Sequence, residues 1–438
     1  MKFYNRENEI GLLRKAAAAS SQRSVFTVIT GRRRVGKTAL ALEASKNHKT
    51  LYFFVSKKEE PLLCEEFTDK IKERLKIPVL GEFKSFEKVF ELIMEAGKLE
   101  NFTLILDEFQ ELGKINPSIY SSIQKIWDIN KDKSFVHLTA CGSIYSLMEN
   151  IFEDSKEPLF GRADFKIDLK PFKPSVLKSM LAEKGRLTPL NFLDFFIITG
   201  GIAKYTELCI LHDALDLSAM LDLIFGINSI MIDEGKNRLI EEFGKDYGTY
   251  FSILALISSS KTSRGEIESI LGKNVSGYLY RLEHDYSIIK AVKPFNAVKG
   301  SKNQKFMIDD NFLNFWFRFV YKYQSIVEAE NFDALKSIAL RDFNTYRGRF
   351  LEKLFIEIFK ESGKYTRIGS YWEKANKNEI DIVLINDLEK KISFCEVKLD
   401  AKRFNKTDLA AKALKLRQEF HEYTAEYLYL SLNDLIKQ

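Results

Sequence analysis

From Gly31 to Thr38 the chain reads Gly-Arg-Arg-Arg-Val-Gly-Lys-Thr, two glycines ahead of a lysine and a hydroxyl in the spacing G-x-x-x-x-G-K-S/T. The stretch follows an apolar run and precedes a helical pattern. Glycines there let successive backbone N–H groups curl around phosphate oxygens at a helix N-terminus. Lys37 would reach the β- and γ-phosphates of a nucleotide, and the Thr38 hydroxyl would hold Mg2+. The expected nucleotide-binding stretch is Gly31, Arg32, Arg33, Arg34, Val35, Gly36, Lys37, Thr38 and Ala39, with the three arginines at variable loop positions.

A second polar pair, Asp107 and Glu108, ends the apolar run Leu104-Ile105-Leu106. Unpaired carboxylates are costly to bury, so acids at the end of such a run point to work. Asp107 would bind the metal, directly or through water. Glu108 would polarise the attacking water, which in phosphoryl transfer is mostly a matter of positioning. Together these residues imply ATP or ADP with Mg2+. Ser143, expected to end the strand FVHLTACGS, or else Thr139 within it, would sense the γ-phosphate. Arg162 would either neutralise transition-state charge as an arginine finger or sit in a surface salt bridge.

Near the carboxyl end, 379–386 and 391–399 read as two antiparallel strands joined by a short turn. Alternation sets Ile392, Phe394, Glu396 and Lys398 on one face and Ser393, Cys395 and Val397 on the other. Asp381 on the partner strand would meet Glu396. Two carboxylates with a lysine suit phosphodiester hydrolysis, the acids binding Mg2+ and the lysine positioning water. A solvated cross-strand Glu–Lys pair is the ordinary alternative.

The elements that must carry these residues differ along the chain. At 438 residues it is too long for one core and should form two to four domains. With 45% hydrophobic and 29% charged residues, long disorder is not expected. Phenylalanine is common and proline scarce, 35 against 8, which suggests helix-rich packing. Over 1–170, apolar runs at 24–30, 50–56, 102–108 and 135–140 alternate with helical patterns such as 59–75 and 117–131. That alternation implies a mostly parallel sheet covered on both faces. Residues 171–246 read as helical. Residues 247–325 mix short helices with the strand-like runs SIIKAV and KFMID. A helical connector is expected at 326–340. The tail, 341–438, should hold a helix at 348–362, the two strands and a final helix.

Charge is concentrated in one place. Between 261 and 305 there are nine Lys or Arg and four acids, most of the chain's net charge of +6. Residues 264–271 read as a short helix ended by Gly272. Asn274 would cap a second helix, 275–285, with Leu279 and Leu282 inward. Ser276, Tyr278, Tyr280 and Arg281 would lie on or near its outer face. SIIKAV and KFMID would form a wing joined by the basic loop around Lys299 and Lys302. This pattern fits a helix-turn-helix with basic flanks, able to meet phosphates and the major groove of DNA, the alternative being a domain that only packs against the core and transmits its state.

The four cysteines, Cys64, Cys141, Cys209 and Cys395, are far apart and lack metal-ligand spacing, so buried thiols in a reducing compartment are expected. The N-terminus lacks the apolar core of a signal peptide, and no run is long enough to cross a bilayer. A cytoplasmic location without membrane association is the expectation.

With these residues in place, the chain resembles the archaeal-type ATPases of the AAA+/STAND group. The likeness runs through Phe3, Arg6, Glu7 and Glu9, then Gly31–Thr38, Leu104–Gln110, Cys141–Met148, Pro158–Arg162 and the Gly200-Gly201 turn. Where the family usually has proline after that turn, this sequence has Ala203. The resemblance implies an α/β protein with a P-loop NTPase parallel sheet over 1–170 and a helical lid over 171–246. A winged helix-turn-helix over 247–325 and the connector would follow. A small α/β restriction-endonuclease-like domain of the PD-(D/E)XK kind would occupy 341–438. Glu352 matches the acid that this last fold often supplies from its first helix, joining Asp381 and Glu396 at a metal. The implied function is an ATPase whose nucleotide state governs DNA binding or processing. The alternative is a STAND-type signalling switch that works through a protein partner or self-assembly.

Overall fold

The computed structural model describes residues 3–437 apart from 80, 144, 227–228, 244–246, 299, 302 and 374–376. Lys299 and Lys302, the centre of the expected basic wing loop, therefore lie outside the described residues. The chain divides into two compact units, Met1–Lys170 and Pro171–Gln438.

In the first unit the four apolar runs become β1 (Val25–Thr30), β2 (Thr50–Phe54), β3 (Phe102–Asp107) and β4 (Val136–Cys141). A fifth strand, β5 (Phe165–Asp168), was not anticipated; at four residues with alternating charge it carries little apolar signal. The order is β2-β3-β4-β1-β5, and every neighbouring pair is parallel. β1, β3 and β4 are buried along their whole length, as strands covered on both faces must be. Phe26, Val28, Leu104 and Leu106 face helices Glu60–Leu75, Phe86–Ala96 and Ile119–Asn130 through Phe67, Phe90 and Ile123. Ile29, Ile105 and Cys141 pack on the opposite side with Leu13 and Leu40, from helices Glu7–Ala19 and Lys37–Ala44.

This topology decides where chemistry can occur. β1 and β3 lie on either side of β4, so the loops leaving their carboxyl ends converge over the end of β4. Open parallel sheets bind ligands in such crevices.

The second unit begins with helices Pro174–Glu183, Pro189–Thr199, Ala203–Leu211, Leu217–Phe225 and Ile230–Phe243. Gly200 and Gly201 both take positive φ, and a Cβ on Gly201 would come 2.4 Å from Phe172 O, so that turn requires glycine. Ala203 opens the following helix without strain. Helices Tyr247–Ser258, Arg264–Leu271 and Ser276–His284 come next, then an antiparallel ribbon of β6 (Ile289–Val292) and β7 (Lys305–Ile308). Ser263 and Glu266 form a reciprocal capping box on the middle helix, and Gly272 ends it at φ 65.

Three expectations need correction here. The helix expected from residue 348 begins at Phe332 and runs unbroken to Ser362, through much of the expected connector. Gly348 sits inside it with open space around its Cα, so no steric demand breaks the helix there. The tail holds more strand than expected: β8 (Arg367–Tyr371), β9 (Ile380–Asn386), β10 (Lys391–Lys398) and β11 (Thr424–Ser431) form a sheet in the order β11-β10-β9-β8. Helices Lys406–Lys412 and Leu414–Glu419 stand before β11, so a strand follows the helix expected to be last.

Candidate functional site

Gly31 leaves β1 at φ 147, and a Cβ there would meet Leu169 O at 2.5 Å, so only glycine fits. Gly36, at φ 99, turns the chain into helix Lys37–Ala44. Lys37 is buried and donates to the carbonyls of Gly31 (2.9 Å) and Arg32 (3.0 Å). Burial lowers its pKa, opposed by Glu108, Cys141 and Asp107. A buried ammonium resting on loop carbonyls suits an incoming anion. Thr38 Oγ1 donates to Asp107 Oδ2 at 2.6 Å, joining the two residues expected at the metal. Arg32 and Arg33 are half-buried, Arg34 and Ala39 are exposed, and Val35 is in the core.

Glu108 has a left-handed backbone, φ 53 and ψ 44, which costs a non-glycine residue on the order of 1–3 kcal/mol. Its Oε2 accepts from Ser143 Oγ at 2.8 Å and from Gln110 Nε2. Ser143 is therefore in the site, though β4 ends at Cys141 and Ser143 lies just beyond it. Thr139 is buried within β4 beside His137, away from that cluster.

Two residues of the site went unread in the sequence. Tyr52 OH donates to the same Asp107 oxygen at 3.0 Å, and burial followed by Asp107 raises the phenol's pKa. Its signal was its place in β2, where Thr50 and Tyr52 are the less buried, polar-tipped positions. Gln110 is buried, and its Oε1 has no hydrogen-bond partner, a cost of about 1–3 kcal/mol. Its signal was a polar amide immediately after the acidic pair.

Arg162 is not brought to this pocket. It precedes β5 and so lies toward the amino end of the sheet, the end away from Lys37 and Asp107. Its guanidinium pairs with Asp128 at 3.2 Å and donates to Phe160 O at 2.8 Å. The salt-bridge alternative describes what is found.

The carboxyl-terminal residues also meet. Ile392 and Phe394 share a core with Val383, Ile385, Leu409 and Leu416, and Glu396 and Lys398 continue that face. Lys398 Nζ lies 3.3 Å from Glu396 Oε1 and 3.5 Å from Asp381 Oδ2, so the lysine bridges the two acids. Asp381 also accepts from Val397 N at 2.7 Å. Burial, then Asp381 and Glu379, push the Glu352 carboxyl up to about 8. Glu396 Oε2 is buried without a partner. Among the described residues, however, no group of three or more His, Cys, Asp or Glu is arranged to hold a metal ion, so the expected set of Asp381, Glu396 and Glu352 is not assembled.

The helix Ser276–His284 exposes Tyr280, Arg281 and His284, with Tyr280 and His284 stacked at 4.3 Å. Ser276 and Tyr278 are half-buried instead of outward, Tyr278 packing edge-on against Tyr250. Asn274 accepts from Ser276 N at 2.8 Å, one position earlier than a cap would sit. The ribbon and its loop are docked on the carboxyl-terminal sheet. Phe295 N donates to Ser370 O at 2.8 Å, Trp372 Nε1 to Asn303 at 3.2 Å, and Asn296 Nδ2 to Glu419 at 3.0 Å. Lys305 pairs with Glu379 at 2.9 Å and lies 4.5 Å above the Trp372 ring, while Lys290 pairs with Asp309 at 3.1 Å.

All four cysteines are buried and free. Among the described residues no helix is long and apolar enough to cross a membrane.

Comparisons with known proteins bear on the first site. Residues 3–208 match a family model described as an ATPase domain predominantly from Archaea, and residues 316–410 match one described as archaeal and bacterial proteins of unknown function. An uncharacterized protein of Methanocaldococcus jannaschii is 29% identical over 409 residues, covering 90% of this chain and 87% of that protein. A Walker-type ATPase of Pyrococcus abyssi shares the fold at 17% identity and a TM-score of 0.53, over 72% of this chain and 96% of that one. Residues 3–208, the stretch that carries Lys37, Thr38, Asp107 and Glu108, are thus similar to ATPase domains found predominantly in Archaea.

Proposed function

We propose that the protein is a Mg2+-dependent ATPase whose nucleotide state controls DNA binding or processing by its carboxyl-terminal half. The observation that carries the ATPase reading is the Thr38–Asp107 hydrogen bond beside a buried Lys37 and a clamped Glu108. Thr38 would hold Mg2+, with Asp107 behind it, and the ion would offset charge on the phosphoryl group in transfer. Lys37 exchanges the carbonyls of Gly31 and Arg32 for phosphate oxygens. Glu108 orients water and draws off its proton. Ser143 links Glu108 to the end of β4, where it can report the presence of a γ-phosphate.

For the carboxyl-terminal half, the three helices and ribbon of 247–308 support a winged-helix reading. The four-stranded sheet with Asp381, Glu396 and Lys398 supports a nuclease-like one. Asp381, Glu396 and Glu352 would hold a divalent metal only once the Lys398 bridge opens; the unpartnered Glu396 oxygen favours that. DNA would meet the face of Tyr280, Arg281 and His284. A second reading, the STAND-type switch working through protein assembly, is favoured by the docking of the ribbon, which occupies Lys305 with Glu379, while Lys290 is held by Asp309 at the ribbon's own end.

DNA binding measured against salt separates the two. The first reading predicts affinity that falls steeply with salt, a slope reduced by roughly one in Arg281→Ala, and nicking with Mn2+ that Asp381→Ala abolishes. No binding at low salt supports the second reading.

A further inference from the structure

We infer that Gln110 is a positioning residue for hydrolysis, fixing one oxygen of Glu108 so that the other is presented to water. The inference rests on the hydrolase reading of the pocket. After β3 the backbone of Glu108 turns left-handed, and Glu111 N donates to Glu108 O at 2.9 Å to close the short turn Phe109–Glu111. That turn returns the Gln110 amide to the Glu108 carboxylate. Gln110 Nε2 and Ser143 Oγ both donate to Oε2, and neither bonds Oε1. Two donors from different elements, the β3 turn and the end of β4, fix the plane of the carboxylate. Oε1 is the oxygen left to accept from water.

The other end of the same amide shows what the residue is for. Gln110 Oε1 is buried and accepts no hydrogen bond. The amide cannot be reversed, because its oxygen would then face a carboxylate. A residue kept for packing would be apolar or would satisfy both ends. Gln110 satisfies only the end aimed at Glu108. Gly142 makes room for it, since a Cβ there would lie 2.7 Å from Gln110 Oε1 and 2.3 Å from the Met148 side chain. A site that tolerates an orphaned acceptor to keep one donor is trading stability for function.

Gln110→Met keeps the side-chain length without the donor, and Gln110→Leu is a second apolar replacement should the first pack badly. Steady-state ATP turnover, equilibrium ATP binding and thermal unfolding are measured on the full chain. We expect kcat to fall roughly 10- to 100-fold, within the range for a misaligned general base. ATP affinity should stay within about threefold and the unfolding midpoint should be unchanged or raised, since the orphaned acceptor is gone. A kcat within about twofold of wild type overturns the inference. So does a joint loss of ATP affinity and unfolding midpoint in both variants, which would make Gln110 a packing residue. A wild-type protein without ATP turnover would instead overturn the hydrolase reading itself.

Discussion

His137 shows how the five-stranded sheet tolerates polar residues away from the candidate site. Its Nε2 sits 2.9 Å from Thr27 Oγ1 in the buried centre of the sheet, and its Nδ1 has no partner. Burial, and secondarily His48, lower its pKa to about 4. The folded state therefore holds the neutral imidazole while the unfolded chain protonates near 6.5. On acidification the unfolded state binds the proton first, so stability present above 6.5 is lost as pH falls toward 4. The loss should amount to roughly 3 kcal/mol over that window. Urea unfolding at a series of pH values tests this: His137→Gln should flatten the curve between pH 6.5 and 4. A mutant curve as steep as the wild type would place the acid sensitivity elsewhere. Lys37 and Glu108 differ from His137 in kind. Their polar atoms meet loops at the open end of the sheet, where a ligand can replace their present partners.

At the scale of elements, the second unit is pinned by a buried ion pair between helices Pro189–Thr199 and Phe332–Ser362. Arg347 forks both oxygens of Asp194 at 2.7 Å each, and both side chains are nearly excluded from solvent. Burial raises the Asp194 pKa against the pull of Arg347. Arg347→Met should strand Asp194 and cost about 3–5 kcal/mol in urea unfolding, much of it recovered when Asp194 is replaced by leucine as well. A single-mutant loss below about 1 kcal/mol would show that the pair is not a brace. The long helix that carries Arg347 spans much of the expected connector and the helix expected at 348–362, a continuity set by side-chain contacts that are not visible in sequence. β8 and β11 were missed for related reasons. β8 is interrupted by Gly369, and β11 mixes the helix formers Ala425 and Glu426 with a period-two run of tyrosine and leucine. β1, β3 and β4 of the first unit are legible because burial on both faces writes an uninterrupted apolar run, which the short β5 lacks.

Across the whole molecule, what could be read ahead of the structure was what phosphate chemistry constrains tightly. The roles proposed for Gly31, Lys37, Thr38, Asp107 and Glu108 depend on backbone geometry and charge, so spacing alone picks these residues out. Tyr52 and Gln110 hydrogen-bond to Asp107 and Glu108, and which side chains make such contacts depends on packing that no spacing records. Arg162 lies away from the chain's own pocket because its loop meets the amino end of the sheet, a placement that spacing does not record. The carboxyl-terminal acids were found by strand alternation. Their bridging by Lys398 and the docking of the ribbon beside Glu379 required coordinates. ATP hydrolysis is the activity proposed for the pocket, and single-turnover hydrolysis beside equilibrium ATP binding measures it. Wild type should bind ATP with Mg2+ and release phosphate, and Lys37→Ala should lose binding as the phosphates lose their buried cation. Glu108→Gln should bind ATP as tightly as wild type yet turn it over at least roughly 100-fold more slowly, because only water orientation and proton removal are lost. Equal turnover by wild type and Glu108→Gln would contradict the account.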